Sequence, residues 1–76
     1  MERKQFRGGP PEMFVVYYHP RDYLGYFVVR RWMGGKPTED FAIANTLEDA
    51  RAEVPSDMLR VDRLSEDDAV IVETWI

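Results

Sequence analysis

The segment from Met13 to Met33 constrains the fold of this chain more than any other. It reads as two strands, Met13–Tyr18 and Tyr26–Met33, joined by the loop His19–Gly25. Pro20 cannot donate to a strand ladder, and the glycine that ends the loop tolerates a positive φ. Seven of the ten aromatic residues lie in this segment. The segment is therefore predicted to be a β-hairpin that supplies most of the core.

Turn and capping signals place the next elements. Gly34–Thr38 is typical of a turn, and Asp40–Ala44 alternates as a short third strand. Thr46 fits an N-cap because it precedes an apolar pattern spaced by three and four residues and has an acidic residue three positions later. A helix is thus predicted over Leu47–Val54, ended by Pro55.

Two further strands follow the helix. Met58–Leu64 is predicted to turn Leu59 and Val61 inward, with Arg60 and Asp62 outward. After the acidic turn 65–68, the strand Ala69–Trp75 places Ile71 and Trp75 on one face and Val70 and Val72 on the other. The sequence therefore predicts an α+β domain, β-β-β-α-β-β, with an antiparallel sheet of four or five strands and one short helix.

The chain has 76 residues and no cysteine, which suits one small domain held by its core in a reducing cytoplasm. Residues 1–12 are polar and contain Gly8-Gly9-Pro10-Pro11, which continues neither a helix nor a central strand. We predict a disordered leader over 1–12 and a single domain over 13–76. The longest apolar run has six residues, too few to span a membrane.

Charge is divided unevenly along the chain. Residues 1–36 hold seven Lys/Arg against three Asp/Glu, whereas residues 37–76 hold three against eleven. Rows of carboxylates can imitate a nucleic-acid backbone and occupy a basic groove on another protein. The candidate partner-binding residues are the acidic side chains of the second half: Glu48, Asp49, Asp57, Asp62, Glu66, Asp67, Asp68 and Glu73. An ordinary solvated surface is the competing interpretation of the same charges.

The hairpin offers a second candidate surface, in which cations and aromatic rings are mixed. Such mixtures stack on bases and pair with phosphates, but arginine stems also cover apolar sheet surface, and arginines stack on aromatic rings within a fold. The alternative function is therefore direct nucleic-acid binding. Its candidate residues are Arg21, Tyr23, Arg30, Arg31 and Trp32.

Catalysis at neutral pH would depend on His19, the single histidine, with Asp22 in the same loop to orient it. Neither Ser56 nor Ser65 lies in a nucleophile motif. His19 and Asp22 give two metal ligands where zinc takes three or four. The sequence therefore predicts no catalytic, metal or cofactor-binding residues.

Four short motifs of this chain are similar to those of a set of short, uncharacterised bacterial and phage proteins. They are a Tyr-x-Pro-x-Asp-Tyr loop, a Val-Val-Arg strand, a Thr-Leu-x-x-Ala-Arg helix start and an Asp-Asp-x-x-Ile-Val-Glu-x-Trp ending. They fall on Tyr18, Pro20, Asp22 and Tyr23; on Val28, Val29 and Arg30; on Thr46, Leu47, Ala50 and Arg51; and on Asp67, Asp68, Ile71, Val72, Glu73 and Trp75. This resemblance brings no known activity.

By size and acidity the chain also resembles the small phage inhibitors of bacterial defence, anti-CRISPR proteins among them. That resemblance implies a non-enzymatic, acidic inhibitor that binds a larger protein or nucleoprotein complex with a basic surface. Direct nucleic-acid binding and an unrelated bacterial function are the alternatives. The sequence is compatible with either a monomer or a dimer, because an exposed sheet edge can pair with a second copy.

Overall fold

The structure is a computed structural model that describes residues 11–76. Residues 1–10, most of the predicted leader, lie outside the described part. The described chain forms five strands and one helix in the predicted order β-β-β-α-β-β. The elements are β1 (Glu12–Tyr18), β2 (Phe27–Met33), β3 (Lys36–Ala44), α1 (Leu47–Ala52), β4 (Arg60–Asp62) and β5 (Ile71–Trp75). The predicted fold class is confirmed.

All five strands form one antiparallel sheet in the order β3-β2-β1-β5-β4. The first strand lies at the centre, between its hairpin partner β2 and the last strand β5. Its sequence explains this position because Val15 and Val16 are both buried, at 3% and 0% exposure, although they point to opposite faces. A strand with apolar residues on both faces is best placed at the centre of a sheet, where side chains of the neighbouring strands shield it.

Helix α1 packs on one face of the sheet. The core there contains Val16 and Val29 from the sheet, Ala50 from α1 and Val54 just after it. Thr46 caps the helix as predicted, because its hydroxyl accepts a hydrogen bond from the Asp49 backbone N–H at 3.0 Å. A two-turn helix is not stable alone, so this packing holds it in place.

The turn between β2 and β3 is shorter than predicted. It contains only Gly34 and Gly35, with φ of +61° and +81°, as a two-residue type I′ hairpin turn requires. Strand β3 therefore begins at Lys36 and includes Pro37, which is tolerated because β3 is an edge strand.

The prediction for β4 was wrong in length and in orientation. Only Arg60–Asp62 is a strand, and Leu59 is 72% exposed. Asp62 pairs with Glu73, so Arg60 and Asp62 lie on the face that carries α1, and Val61 lies on the opposite face. The contacts with β5 decide the orientation, and the alternation of the short segment does not reveal it.

Strand β5 also departs from simple alternation. Val16 pairs with Glu73 and Tyr17 with Ile71, so Val72 is an extra residue in the ladder. This bulge reverses the parity of the strand. Ile71 and Trp75 were predicted to share a face, but the bulge places them on opposite faces.

Candidate functional site

The predicted acidic residues do not all lie on an accessible surface. Six of them are exposed: Glu48, Asp49, Asp57, Asp62, Glu66 and Asp68. Asp67 is partly buried, and Glu73 is buried with 2% exposure. Glu73 is therefore removed from the partner-binding set, because a buried carboxylate cannot meet a protein surface.

The backbone brings most of the remaining carboxylates to one end of the sheet. At that end, strand pairing places Phe27 between Tyr18 and Ala44. Helix α1 begins at the same end, because only residues 45 and 46 separate it from β3. The Tyr18 N–H also donates to the Val70 carbonyl, so the β4–β5 loop reaches the same end. We call this region the acidic end; it contains Glu48, Asp49, Glu66, Asp67 and Asp68.

Two of these carboxylates also shape the β4–β5 loop. Asp67 Oδ2 accepts a hydrogen bond from the Leu64 N–H at 2.9 Å, and Asp68 Oδ1 accepts one from the Val70 N–H at 3.2 Å. Both are local side-chain-to-backbone bonds of the kind that stabilise turns. Substitutions at Asp67 or Asp68 would therefore alter the loop as well as its charge.

Glu73 instead joins α1 to the sheet. Its carboxylate accepts hydrogen bonds from Arg51 Nε at 3.0 Å, Arg51 Nη2 at 2.8 Å and Trp75 Nε1 at 2.8 Å. Arg60 Nη1 lies 3.8 Å from Glu73 Oε1. The hydrogen bond from Arg51 holds the pKa of Glu73 below its ordinary value, although burial acts in the opposite direction. These donors explain how a carboxylate can remain charged in the core.

The sheet face opposite α1 carries side chains from all five strands, and we call it the open face. Strand pairing places its members in cross-strand rows, which are Val61, Thr74, Val15, Arg30 and Phe41; then Ile71, Tyr17, Val28 and Ile43; and then Met13 and Trp32. On this face Trp32 Nε1 donates to the Tyr17 hydroxyl at 3.1 Å. Burial raises the pKa of Tyr17.

The β1–β2 loop covers part of the open face. The Tyr23 ring lies 5.8 Å from the Phe41 ring, and the Arg30 guanidinium lies 4.7 Å from the centre of the same ring. A pocket of about 200 Å³ remains beside the loop. Its lining consists of Tyr17, Pro20, Arg21, Asp22, Tyr23, Val28 and Arg30.

The predicted basic and aromatic set is divided between the two faces. Arg21, Tyr23, Arg30 and Trp32 lie at the open face or in its loop. Arg31 alternates to the α1 face, where it pairs with Glu12 at 2.6 Å and Asp40 at 3.1 Å. The prediction that Arg31 joins the same surface was wrong because adjacent residues of a strand point to opposite faces.

His19 has a structural role in its loop. Its φ is +59°, and its Nδ1 accepts a hydrogen bond from the Gly25 N–H at 2.7 Å. Within residues 11–76 no hydrogen bond or ion pair joins His19 to Asp22, which lines the pocket instead. No sequence pattern predicts this loop-closing bond, because it depends on a positive φ at His19.

Among residues 11–76 no three His, Asp or Glu side chains are arranged so that they could hold one metal ion. None of their helices has the length and apolar character needed to cross a membrane. Comparison with protein families, curated proteins and solved structures finds no match to this chain. The resemblances drawn from the sequence therefore stay predictions.

Proposed function

We propose that this protein is a small, non-enzymatic binding module whose acidic end docks on a basic, nucleic-acid-binding surface of a larger protein. An anti-CRISPR-like inhibitor is the specific form of this proposal. Carboxylates held on a folded surface would compete with nucleic-acid phosphates for the same arginines and lysines.

One observation supports this function most strongly: two of the three arginines in residues 37–76 are engaged by the buried Glu73 and not by the acidic end. Residues 37–76 contain three arginines, and two of them, Arg51 and Arg60, lie within 4 Å of the buried Glu73. Arg63 Nη2 lies 3.5 Å from the Asp67 carbonyl oxygen. Arg63 offsets part of the charge of the acidic end. The four exposed carboxylates there, Glu48, Asp49, Glu66 and Asp68, still outnumber it, which favours a basic partner.

The test uses purified CRISPR effector–guide RNA complexes and measures how the protein competes with target DNA. Glu66→Lys is the informative variant because Glu66 is exposed. Its carboxylate accepts a hydrogen bond from the Ser65 hydroxyl at 3.3 Å, which lies on the surface. We expect roughly tenfold weaker inhibition, with a steeper loss in low salt than in high salt. Glu39→Lys, on edge strand β3, changes the net charge equally and should leave inhibition unchanged.

Two results would contradict the proposal. If the wild-type protein binds none of the CRISPR effector–guide RNA complexes tested, the proposal of an anti-CRISPR-like inhibitor is wrong. If Glu66→Lys and Glu39→Lys weaken binding equally, net charge and not the acidic end accounts for the effect. Thermal unfolding of each variant shows whether a loss of inhibition reflects a loss of fold.

Direct nucleic-acid binding stays the alternative prediction, now restricted to Arg21, Tyr23, Arg30 and Trp32. A gel shift with single-stranded DNA and RNA at two salt concentrations tests it, because phosphate contacts weaken steeply as salt rises. Absence of a shift at low salt would exclude this alternative.

A further inference from the structure

The open face has the composition of an interface and not of a solvated surface. An antiparallel sheet covered on one side normally carries polar residues on the other. Here the paired strand positions of the open face hold one charged residue, Arg30, and otherwise Thr74, Pro37 and aliphatic or aromatic side chains. Strand alternation adds Glu39 at the β3 edge of this face. At the centre of this face Val15 and Val28 are only 3% exposed, whereas Phe41, Ile43 and Val61 on the two outer strands are 38–45% exposed. Enrichment in Tyr, Trp, Phe, Met and Arg with few other charges is typical of interface cores.

Arg30 does not oppose burial of this face. Its Nη1 donates to the Thr38 carbonyl at 2.6 Å, and its guanidinium stacks on the Phe41 ring. A guanidinium that is hydrogen-bonded and stacked loses less on desolvation than a free one. The face can therefore be covered without leaving an isolated charge.

The edges of the sheet are poorly suited to association. Edge strand β3 contains Pro37 and a register shift opposite Arg30 and Trp32, and both features interrupt pairing with another strand. The other edge, β4, has three residues, and its Arg60 pairs with Asp62 at 3.4 Å. Contact between copies is therefore expected through the open face and not through an edge.

The loop beside the open face is self-complementary in charge. Arg21 and Asp22 are adjacent, both are exposed, and both line the pocket. A twofold axis that passes beside this loop can pair Arg21 of one copy with Asp22 of the other, and the reverse pair then forms by symmetry. This complementarity favours a second copy of the chain over a partner of one charge sign.

Because the core of this domain is small, association with a second copy would add to its stability. A domain of about 70 residues rarely gains more than about 3–5 kcal/mol from its own core, and association is one common source of added stability. In this chain four aromatic rings, Tyr17, Tyr23, Trp32 and Phe41, lie on the side of the sheet that the helix does not cover.

We propose that two copies of this chain associate through their open faces as a twofold-symmetric dimer. The two sheets form the inner layers, and each α1 lies outside. The acidic end of each copy would remain accessible, so the dimer goes beyond the proposed function and would present two acidic ends to a partner.

The first test measures mass and contact surface on the wild-type protein. Sedimentation and light scattering should show a concentration-dependent shift from 8.9 kDa to twice that mass. The two tryptophans report the surface, because Trp32 lies on the open face and Trp75 Nε1 bonds Glu73 on the α1 face. In NMR spectra the Trp32 indole N–H resonance should change with concentration, and that of Trp75 should not.

The second test uses matched variants. Ile43→Lys places a charge on the open face and should abolish the dimer, whereas Ala52→Lys adds the same charge on exposed α1 and should preserve it. Arg21→Asp and Asp22→Arg should each weaken association roughly tenfold. The double variant Arg21→Asp/Asp22→Arg should restore it.

The proposal is overturned if the wild-type protein is monomeric at all concentrations, a result that would leave the face to a different partner. It is also overturned if a dimer forms without a change at Trp32, or if a folded Ile43→Lys variant still dimerises. Should Ile43→Lys fail to fold, the tryptophan resonances of the wild-type protein decide alone.

Discussion

Arg51 of α1 and Glu73 of β5 form a two-point ion pair that connects the helix to the sheet. The Arg51 nitrogens lie 2.8 and 3.0 Å from the Glu73 oxygens. The Glu73 side chain is 2% exposed, and that of Arg51 is 40% exposed. One partner thus reaches solvent while the other is inside, so the two side chains are not equivalent when the pair is broken.

We expect Arg51→Ala to lower the free energy of unfolding several-fold more than Arg63→Ala does, because it leaves a buried carboxylate without its main donor. Urea unfolding measures the change. Arg63→Ala is the matched control, since Arg63 is exposed with one weak bond, and its effect should stay within about 0.5 kcal/mol. Similar losses in the two variants would show that the pair with Glu73 contributes little.

Acid should weaken this connection. The pKa of Glu73 is lowered from 4.5, so the folded protein binds this proton less readily than the unfolded chain. Its contribution to stability is present above about pH 4.5 and is lost as pH falls through the lower pKa of the folded state. Unfolding free energies measured from neutral to acid pH should fall more steeply for the wild type than for Glu73→Gln. Equal pH dependence would contradict this assignment.

Tyr17 should ionise above the ordinary tyrosine range, because burial raises its pKa. Ultraviolet absorbance during alkaline titration should show one late transition, absent from Tyr17→Phe. A pKa raised in the folded state means that the associated stability is present below the ordinary value of 10.0 and is lost at higher pH. If Tyr17→Phe leaves the late transition in place, another tyrosine is the buried one.

The β2–β3 turn should tolerate asparagine better than alanine. Gly35 has a φ of +81°, and no atom lies within 4 Å of an added Cβ, so backbone strain alone sets the cost. Gly35→Ala should lose about 1–2 kcal/mol, and Gly35→Asn less, because asparagine visits the left-handed region more readily. Denaturant unfolding of both variants measures this difference. Equal losses would mean that the turn does not require a positive φ at this position.

Local signals predicted much of this fold. The Thr46 cap, the glycine at position 25 and the order of strands and helix each follow from a few neighbouring residues, and the structure confirms them. The turn after β2 is shorter than the predicted Gly34–Thr38, because Pro37 lies in edge strand β3, where a proline is accepted. These are properties of short stretches of chain, which sequence reasoning describes well.

The candidate sites were predicted less completely. The charge division between residues 1–36 and 37–76 is visible in the sequence, and so is the mixture of arginines and aromatic rings. The placement of Arg30 and Arg31 on opposite faces of the sheet follows from strand alternation alone. The role of Glu73 was missed, although its position between Val72 and Thr74 in an apolar strand hinted at burial.

The sequence by itself determined the element types, the central hairpin and the excess of acidic side chains in the second half. Only the tertiary structure decided that Glu73 faces α1, that Arg60 and Asp62 lie on the α1 side of the sheet, and that aromatic side chains gather on the opposite face. The bulge at Val72 and the pairing of β4 with β5 set these orientations. Register depends on contacts between residues far apart in the chain, and one extra residue reverses the face of every side chain beyond it.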